Sequence, residues 1–274
     1  MSANIPPLYD KERAAASRGR EEYLAREGDS KWPLLLEHIG ACRRLVDLGC
    51  GWGQLLHLAA GRVEEVWGVD ESPDRIKDAA RACPRAKLVC CRMQQLQLPG
   101  GYFDVAVACQ VLHEVKLFGA PEELQAALGE IRRVLSQGGR FLLLDHLDAG
   151  AGEVAVALPP EGLDRLRRFE RKFTCYAAAH AAAGEGVIRI AKRTLQDFLT
   201  KAHWLDSAME ELEMKETHNV FQSSGTIGML ESAGLAVEEW IEFADIRRDL
   251  ASFGAGLTAG GPWRRKFLAV AIKK

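Results

Sequence analysis

The sequence predicts an α/β fold with a doubly wound, mainly parallel sheet, and three observations carry that prediction. Short apolar runs alternate with segments of helical spacing along most of the chain. The first apolar run, Leu45-Val46, ends in Asp47 and opens through Leu48 into a turn with Gly49, Gly51 and Gly53, after which Leu55, Leu56, Leu58 and Ala59 fall at helical spacing. The second run, VEEVWGVDES, ends in Asp70, with Glu71 beside it. An acidic residue about 20 positions past a glycine-rich strand–helix turn is placed to accept hydrogen bonds from ribose hydroxyls. Glycines are needed where the backbone takes positive φ or where a ligand must touch the main chain. The pair of features predicts a nucleoside cofactor at the carboxyl ends of parallel strands.

The remaining elements follow in order. Residues 1–40 read as one or two helices ahead of the sheet, with an alanine- and arginine-rich stretch from Ala14 to Leu24 and an apolar run after Trp32. AKLVCCR, residues 86–92, reads as a third strand, followed by Met93 and Gln94. FDVAVAC is a fourth, fully buried strand, and Cys109, Gln110 and His113 stand at its far end. EELQAALGEIRRVLSQGG has Leu124, Leu128, Ile131 and Leu135 on one face, and Gly138–Gly139 reads as its C-terminal stop. A fifth strand then ends in Asp145 and His146. GAGEVAVALPPEG reads as a turn-rich connection, LDRLRRFERKF as an amphipathic helix, and Thr194 as the N-cap of another helix. No internal repeat is present.

The turn discriminates among nucleosides. A dinucleotide site uses G-x-G-x-x-G and seats a pyrophosphate on the helix N-terminus. Here the turn is G-C-G-W-G, with Asp47 two residues before it. A carboxylate at that mouth repels a pyrophosphate and suits an ammonium group, which argues against an NAD-dependent oxidoreductase.

The D-x-G-x-G-x-G pattern resembles the first motif of the class I S-adenosylmethionine-dependent methyltransferases. The order of the later strands resembles the family too, over residues 40–148 and about 225–274. IGMLESAGLAVEEWIEF resembles its late helix, glycine turn and sixth strand, and KFLAVAIKK its seventh. The resemblance implies a Rossmann-like, seven-stranded sheet whose last strand is antiparallel. It implies a methyltransferase core at 41–148 and 225–274, an N-terminal helical cap at 1–40, and a helical lid or substrate insertion at 149–224. It also implies S-adenosyl-L-methionine as cofactor and S-adenosyl-L-homocysteine as product. The expected cofactor contacts are Asp47, Gly49, Cys50, Gly51, Gly53, Asp70 and Glu71, with Met93 and Gln94 flanking the adenine and Cys109 and Gln110 under the sulfonium and ribose.

A methyl group carries no proton to remove, so in-line alignment in a water-poor pocket should supply most of the acceleration. A base matters only where the acceptor atom is protonated. His113 and His146 are the candidate catalytic bases by position. Tyr9, Tyr23, Trp32 and His218 are candidate substrate contacts, although for the three aromatics anchoring the N-terminal helices to the core is the favoured reading. Asp145 has no neighbouring D-N pair to complete a metal site, so no metal is expected. The tetrapeptide of enzymes that methylate nucleic-acid amines is absent after the fourth strand, where Cys109-Gln110-Val111-Leu112 stands. That favours a small-molecule acceptor, with hydroxyl acceptors ahead. The alternatives are a protein or RNA methyltransferase and a non-catalytic cofactor-binding module.

Composition agrees. A length of 274 residues suits one large domain with an insertion. A net charge of −2 supplies no field for nucleic acid or an anionic membrane. The arginines between Arg165 and Lys172 fall on the polar side of a helix beside Asp164 and Glu170, which reads as a solvated face. The first 30 residues contain no apolar signal region, and no apolar run approaches a membrane span, so a cytoplasmic protein is expected. The seven cysteines form no C-x-x-C pair and read as reduced packing residues. A homodimer is compatible with this reading.

Overall fold

The computed structural model describes residues 31–274, which fold as two compact units. Tyr9, Tyr23 and most of the expected N-terminal cap lie outside the described residues.

The larger unit comprises Trp32–Leu147, Val220–Phe243 and Lys266–Lys274. Its sheet has seven strands: β1 (Arg44–Leu48), β2 (Glu65–Asp70), β3 (Lys87–Cys90), β4 (Phe103–Cys109), β5 (Leu135–His146), β9 (Leu235–Asp245) and β11 (Arg264–Lys273). Their spatial order is β3-β2-β1-β4-β5-β11-β9. Strands β1 to β5 pair in parallel, and β11 runs antiparallel to β5, with Lys266 opposite His146. The chain winds outward from β1 in one direction and restarts at β4 on the other side. That reversal opens a crevice at the carboxyl ends of β1 and β4, the usual ligand position in such sheets.

Two apolar layers explain why the central strands are apolar throughout. Val46 and Leu48 of β1, with Ala106, Ala108, Phe141 and Leu143, face one layer. Helices α4 (Leu112–Phe118), α5 (Pro121–Val134) and α9 (Ser223–Ser232) cover it, through Leu112, Leu128, Ile131 and Leu230. Leu45, Val105, Val107, Leu142 and Leu144 face the other. It is covered by α1 (Lys31–Ile39), α2 (Gln54–Ala59) and α3 (Pro73–Ala82), through Leu35, Ile39, Leu55, Leu56 and Ala79. Period-two alternation with both faces buried makes each strand read as a continuous apolar run. Helix α1 is closed at its C-terminus by Gly40, with φ 56°, and by Arg140, whose guanidinium donates to the His38 and Ile39 carbonyls at 2.7 and 2.8 Å.

One helix ends earlier than the sequence suggests. Helix α5 stops at Val134, because Leu135 is already extended, rather than at Gly138–Gly139. The glycines serve the sheet instead. Phe103 and Val105 of β4 pair with Leu135 and Arg140 of β5, so residues 136–139 bulge, and Gly138 makes the excursion at φ 72°.

The smaller unit is built mainly from Asp148–Asn219 and Ala244–Arg265. The insertion, expected as a helical lid with a turn-rich start, holds strands as well as helices. Four strands form a second, antiparallel sheet ordered β10-β6-β8-β7: β6 (Glu153–Ala157), β7 (His180–Gly184), β8 (Val187–Ala191) and β10 (Gly256–Ala259). Val154 and Val156 of β6 and Ile188 and Ile190 of β8 point into the core, with polar or small residues between them. The expected amphipathic helix is present as α6 (Pro160–Lys172), and α7 (Lys192–Lys201), α8 (Glu210–Glu213) and α10 (Ile246–Ser252) complete the unit. Thr194 is not an N-cap: β8 runs straight into α7 at Ala191, which leaves Thr194 buried in the first helical turn. Residues 244–265, expected in the core, belong to this unit.

Candidate cofactor and acceptor site

The glycine turn after β1 divides its glycines by task. Gly49, Gly51 and Gly53 all take positive φ, at 74°, 50° and 79°. A Cβ on Gly49 would lie 2.5 Å from Val111 Cγ2, and one on Gly53 would lie 2.8 Å from the Ala79 Cα. Those two glycines let the turn pack against the residues after β4 and against α3. A Cβ on Gly51 would meet nothing within 4 Å. Gly51 therefore presents bare main chain to open space, as contact with a ligand requires.

Asp70, at the end of β2, is tied to the turn. Its Oδ2 accepts from the Gly51 N–H at 3.0 Å and its Oδ1 from the Ser72 N–H at 2.9 Å. A carboxylate has about four lone-pair positions, so two of them orient the group and others are left for hydroxyl donors. Glu71 is exposed beside it. Asp47 closes the end of β1 and is buried. Burial, and next the negative charge of Asp70, push its carboxyl up to about 7. An ammonium group arriving there would relieve both effects. The same burial raises the Cys50 thiol, so Cys50 remains a thiol in the turn.

Met93 and Gln94 follow β3 in a short 3-10 turn. Met93 packs in the core with Leu96 and Leu98. The Gln94 amide donates to Glu123 Oε2 at 3.1 Å, and Arg92 donates to the same oxygen at 2.9 Å. Glu123 thus gathers both donors, and it carries no local sequence signal because it lies 29 positions from Gln94.

At the ends of β4 and β5 the structure brings Gln110, His113, Asp145 and His146 together. Asp145 is fully buried and His113 and His146 nearly so. Asp145 Oδ1 lies 2.7 Å from His113 Nδ1, and Asp145 Oδ2 accepts from the His113 backbone N–H at 3.1 Å. A carboxylate only accepts, so Nδ1 carries the proton and the lone pair falls on Nε2. That is the tautomer a proton acceptor needs. The His146 ring stands 83° to that of His113, with centroids 4.9 Å apart, and its Nε2 lies 3.0 Å from Gln110 Nε2. Cys109 ends β4, half-buried. Nothing in the sequence pattern marks Asp145 for this role.

Trp32 and His218 are the other expected contacts among the described residues. Trp32 packs with α1 against the core layer that holds Leu35 and Ile39. His218 belongs to the smaller unit, in a buried polar network. Its N–H donates to Asp197 Oδ1 at 2.7 Å, and its Nε2 lies 3.4 Å from Lys201 Nζ. Asp197 also accepts from Tyr176, Thr217 and Asn219 at 2.7, 2.7 and 2.9 Å. Lys201 reaches Glu213 and Glu216 at 3.0 and 3.4 Å. All seven cysteines are free thiols, and among the described residues no helix is long and apolar enough to cross a membrane.

Residues 46–143 match the family described as a methyltransferase domain. These residues form a class I S-adenosylmethionine-dependent methyltransferase domain. The chain is 33% identical over 107 residues to a protein of Synechocystis named an uncharacterized methyltransferase, covering 39% of this chain and 49% of the relative. It is 30% identical over 112 residues to the ubiquinone/menaquinone biosynthesis C-methyltransferase of Burkholderia vietnamiensis, covering 37% and 42%. The chain thus spans about half the length, or less, of these curated relatives. A likeness in fold alone reaches further along the chain. A TehB-like S-adenosylmethionine-dependent methyltransferase from Corynebacterium glutamicum superposes with a TM-score of 0.55 at 17% identity, covering 97% of this chain and 99% of that one. The seven-stranded sheet expected from the methyltransferase motifs is the sheet observed.

Proposed function

We propose that this protein transfers a methyl group from S-adenosylmethionine to a hydroxyl of a small acceptor, with His113 taking the acceptor's proton. The observation that carries this reading is the buried Asp145–His113 pair beside the glycine turn. Asp47 would hold the cofactor's ammonium, Asp70 its ribose, and Gly49, Cys50, Gly51 and Gly53 would line it with main chain. Glu71, Cys109 and Gln110 border the same cleft, with Met93 and Gln94 on the adenine side. The fit rests on the open face of Gly51 and on the buried, raised carboxyl of Asp47, which favours a cationic neighbour. When bound, the cofactor supplies a methyl carbon on a sulfonium, open to direct in-line attack.

The protein's own part is alignment and proton removal. Asp145 holds the His113 ring by its Nδ1–H and its backbone N–H, so Nε2 keeps one direction and one tautomer. Burial keeps water from competing for the acceptor proton. A positioned base of this kind contributes about 10²–10⁴-fold when the acceptor is protonated. We assign choice of acceptor to the smaller unit, since function varies in connections while the sheet stays fixed.

A second reading is C-methylation, favoured by the relative from Burkholderia vietnamiensis, whose name carries that activity. A base also suits a phenol attacked at ring carbon. The test is transfer of labelled methyl to phenols and small hydroxylated compounds, with product analysis to locate the methyl. Transfer to oxygen that collapses in His113→Gln supports the proposal. Transfer that survives that change undamaged overturns the role of His113.

A further inference from the structure

Gln110 and His146 form a couple that methyl transfer by His113 leaves unused. Gln110 takes a φ of 54°. That conformation is strained for a residue with a Cβ and persists only where surroundings impose it. Three contacts impose it here. The Gln110 N–H donates to the Leu144 carbonyl at 2.7 Å. The next residue, Val111, is wedged against Gly49 of the cofactor turn, where a Cβ would come within 2.5 Å of Val111 Cγ2. The Gln110 side-chain amide meets His146 Nε2 at 3.0 Å. His146 is itself fixed, since it ends β5 and its N–H donates to Asp145 Oδ1 at 2.8 Å.

An imidazole whose Nε2 lone pair accepts from an amide keeps its proton on Nδ1. That nitrogen cannot take an acceptor's proton while the amide holds it. We propose that His146 is a positioning residue and not a second base: it locks the Gln110 side chain, and with it the strained 110–111 peptide, against the cofactor turn. The proposal rests on the methyltransferase reading and adds a division of labour to it. His113 handles the proton, and His146 acts through Gln110 on cofactor binding.

The test is calorimetric titration with S-adenosylhomocysteine of Gln110→Ala, His146→Ala, their double variant and His146→Gln, with melting temperatures for each. Each alanine variant is expected to weaken binding about tenfold, equivalent to about 1.4 kcal/mol. The double variant should be no more than about twofold weaker than either single one, because both break one contact. His146→Gln, whose amide carbonyl can accept from Gln110, should bind within about threefold of the wild type and keep its pH–rate profile. Additive losses near a hundredfold in the double variant, unchanged binding in His146→Ala, or a pH–rate limb lost in His146→Gln would each overturn the proposal. Gln110→Gly serves if an alanine variant folds poorly. It relieves the strain, so it should melt no lower than the wild type and still lose affinity; unchanged affinity there would also overturn it. Failure of the underlying reading looks different, because the wild type itself would then not bind S-adenosylhomocysteine.

Discussion

Asp145 grips His113 from two sides, through the imidazole Nδ1 at 2.7 Å and the backbone N–H at 3.1 Å, although the residues stand 32 positions apart. One contact sets the tautomer and the other sets the start of α4. Asp145→Asn should therefore lower kcat by about 10²-fold, the low end for a misdirected base, and leave S-adenosylhomocysteine affinity within about twofold. Paired steady-state kinetics and calorimetry check this. Equal losses in kcat and affinity would place Asp145 in cofactor binding instead.

The two packing glycines and the open one should respond differently to alanine. Both Gly51→Ala and Gly53→Ala force a Cβ into left-handed backbone, at about 1–2 kcal/mol. Gly53→Ala also drives that Cβ into Ala79, so it should lose about 1–3 kcal/mol more. Denaturant unfolding should find Gly53→Ala the less stable protein. Calorimetry should find Gly51→Ala the nearly folded one that has lost its ligand.

Asp47 predicts a pH dependence of stability. Its folded carboxyl is raised to about 7 from the ordinary 3.8, by burial and then by Asp70. Between those values the folded state holds more protons than the unfolded state, so stability falls as pH rises from about 4 to about 7. Asp47→Asn should remove that slope, raising the melting temperature of ligand-free protein more at pH 8 than at pH 5. The same group should release a proton when an ammonium ligand binds near pH 7. Calorimetry in buffers of different ionisation heat measures that release.

In the smaller unit, Asp197 accepts four hydrogen bonds while almost fully buried. Burial raises its carboxyl, and the bonds from His218, Tyr176 and Thr217, with the charge of Lys201, work against that rise. Asp197→Ala strands the donors and unbalances Lys201. A loss of about 3–5 kcal/mol is expected from chemical denaturation, with the methyltransferase domain's S-adenosylhomocysteine affinity little changed below the transition.

Much of the larger unit was legible in the chain, for a physical reason. Its strands are buried on both faces, so Leu45–Leu48 and Phe103–Cys109 announce themselves without tertiary information. Asp70 and the glycines were legible because their spacing is set by one local unit. Strands β6 and β8 were harder to read. They are five residues each, flanked by glycine or proline, and carry only two inward residues apiece. Gly138–Gly139 resembled a helix stop, yet serves a bulge that depends on β4 lying alongside. The grip of Asp145 on His113 and that of Glu123 on Gln94 join residues about 30 positions apart and leave no periodic trace.

The most direct measurement is calorimetric titration of the wild type and Asp70→Ala with S-adenosylhomocysteine, with NAD as control. The account predicts saturable binding of S-adenosylhomocysteine by the wild type, none of NAD, and a loss of about 1.5–3 kcal/mol in the variant for charged hydrogen bonds to the ribose. Binding of NAD without S-adenosylhomocysteine, or equal affinity in Asp70→Ala, would contradict it.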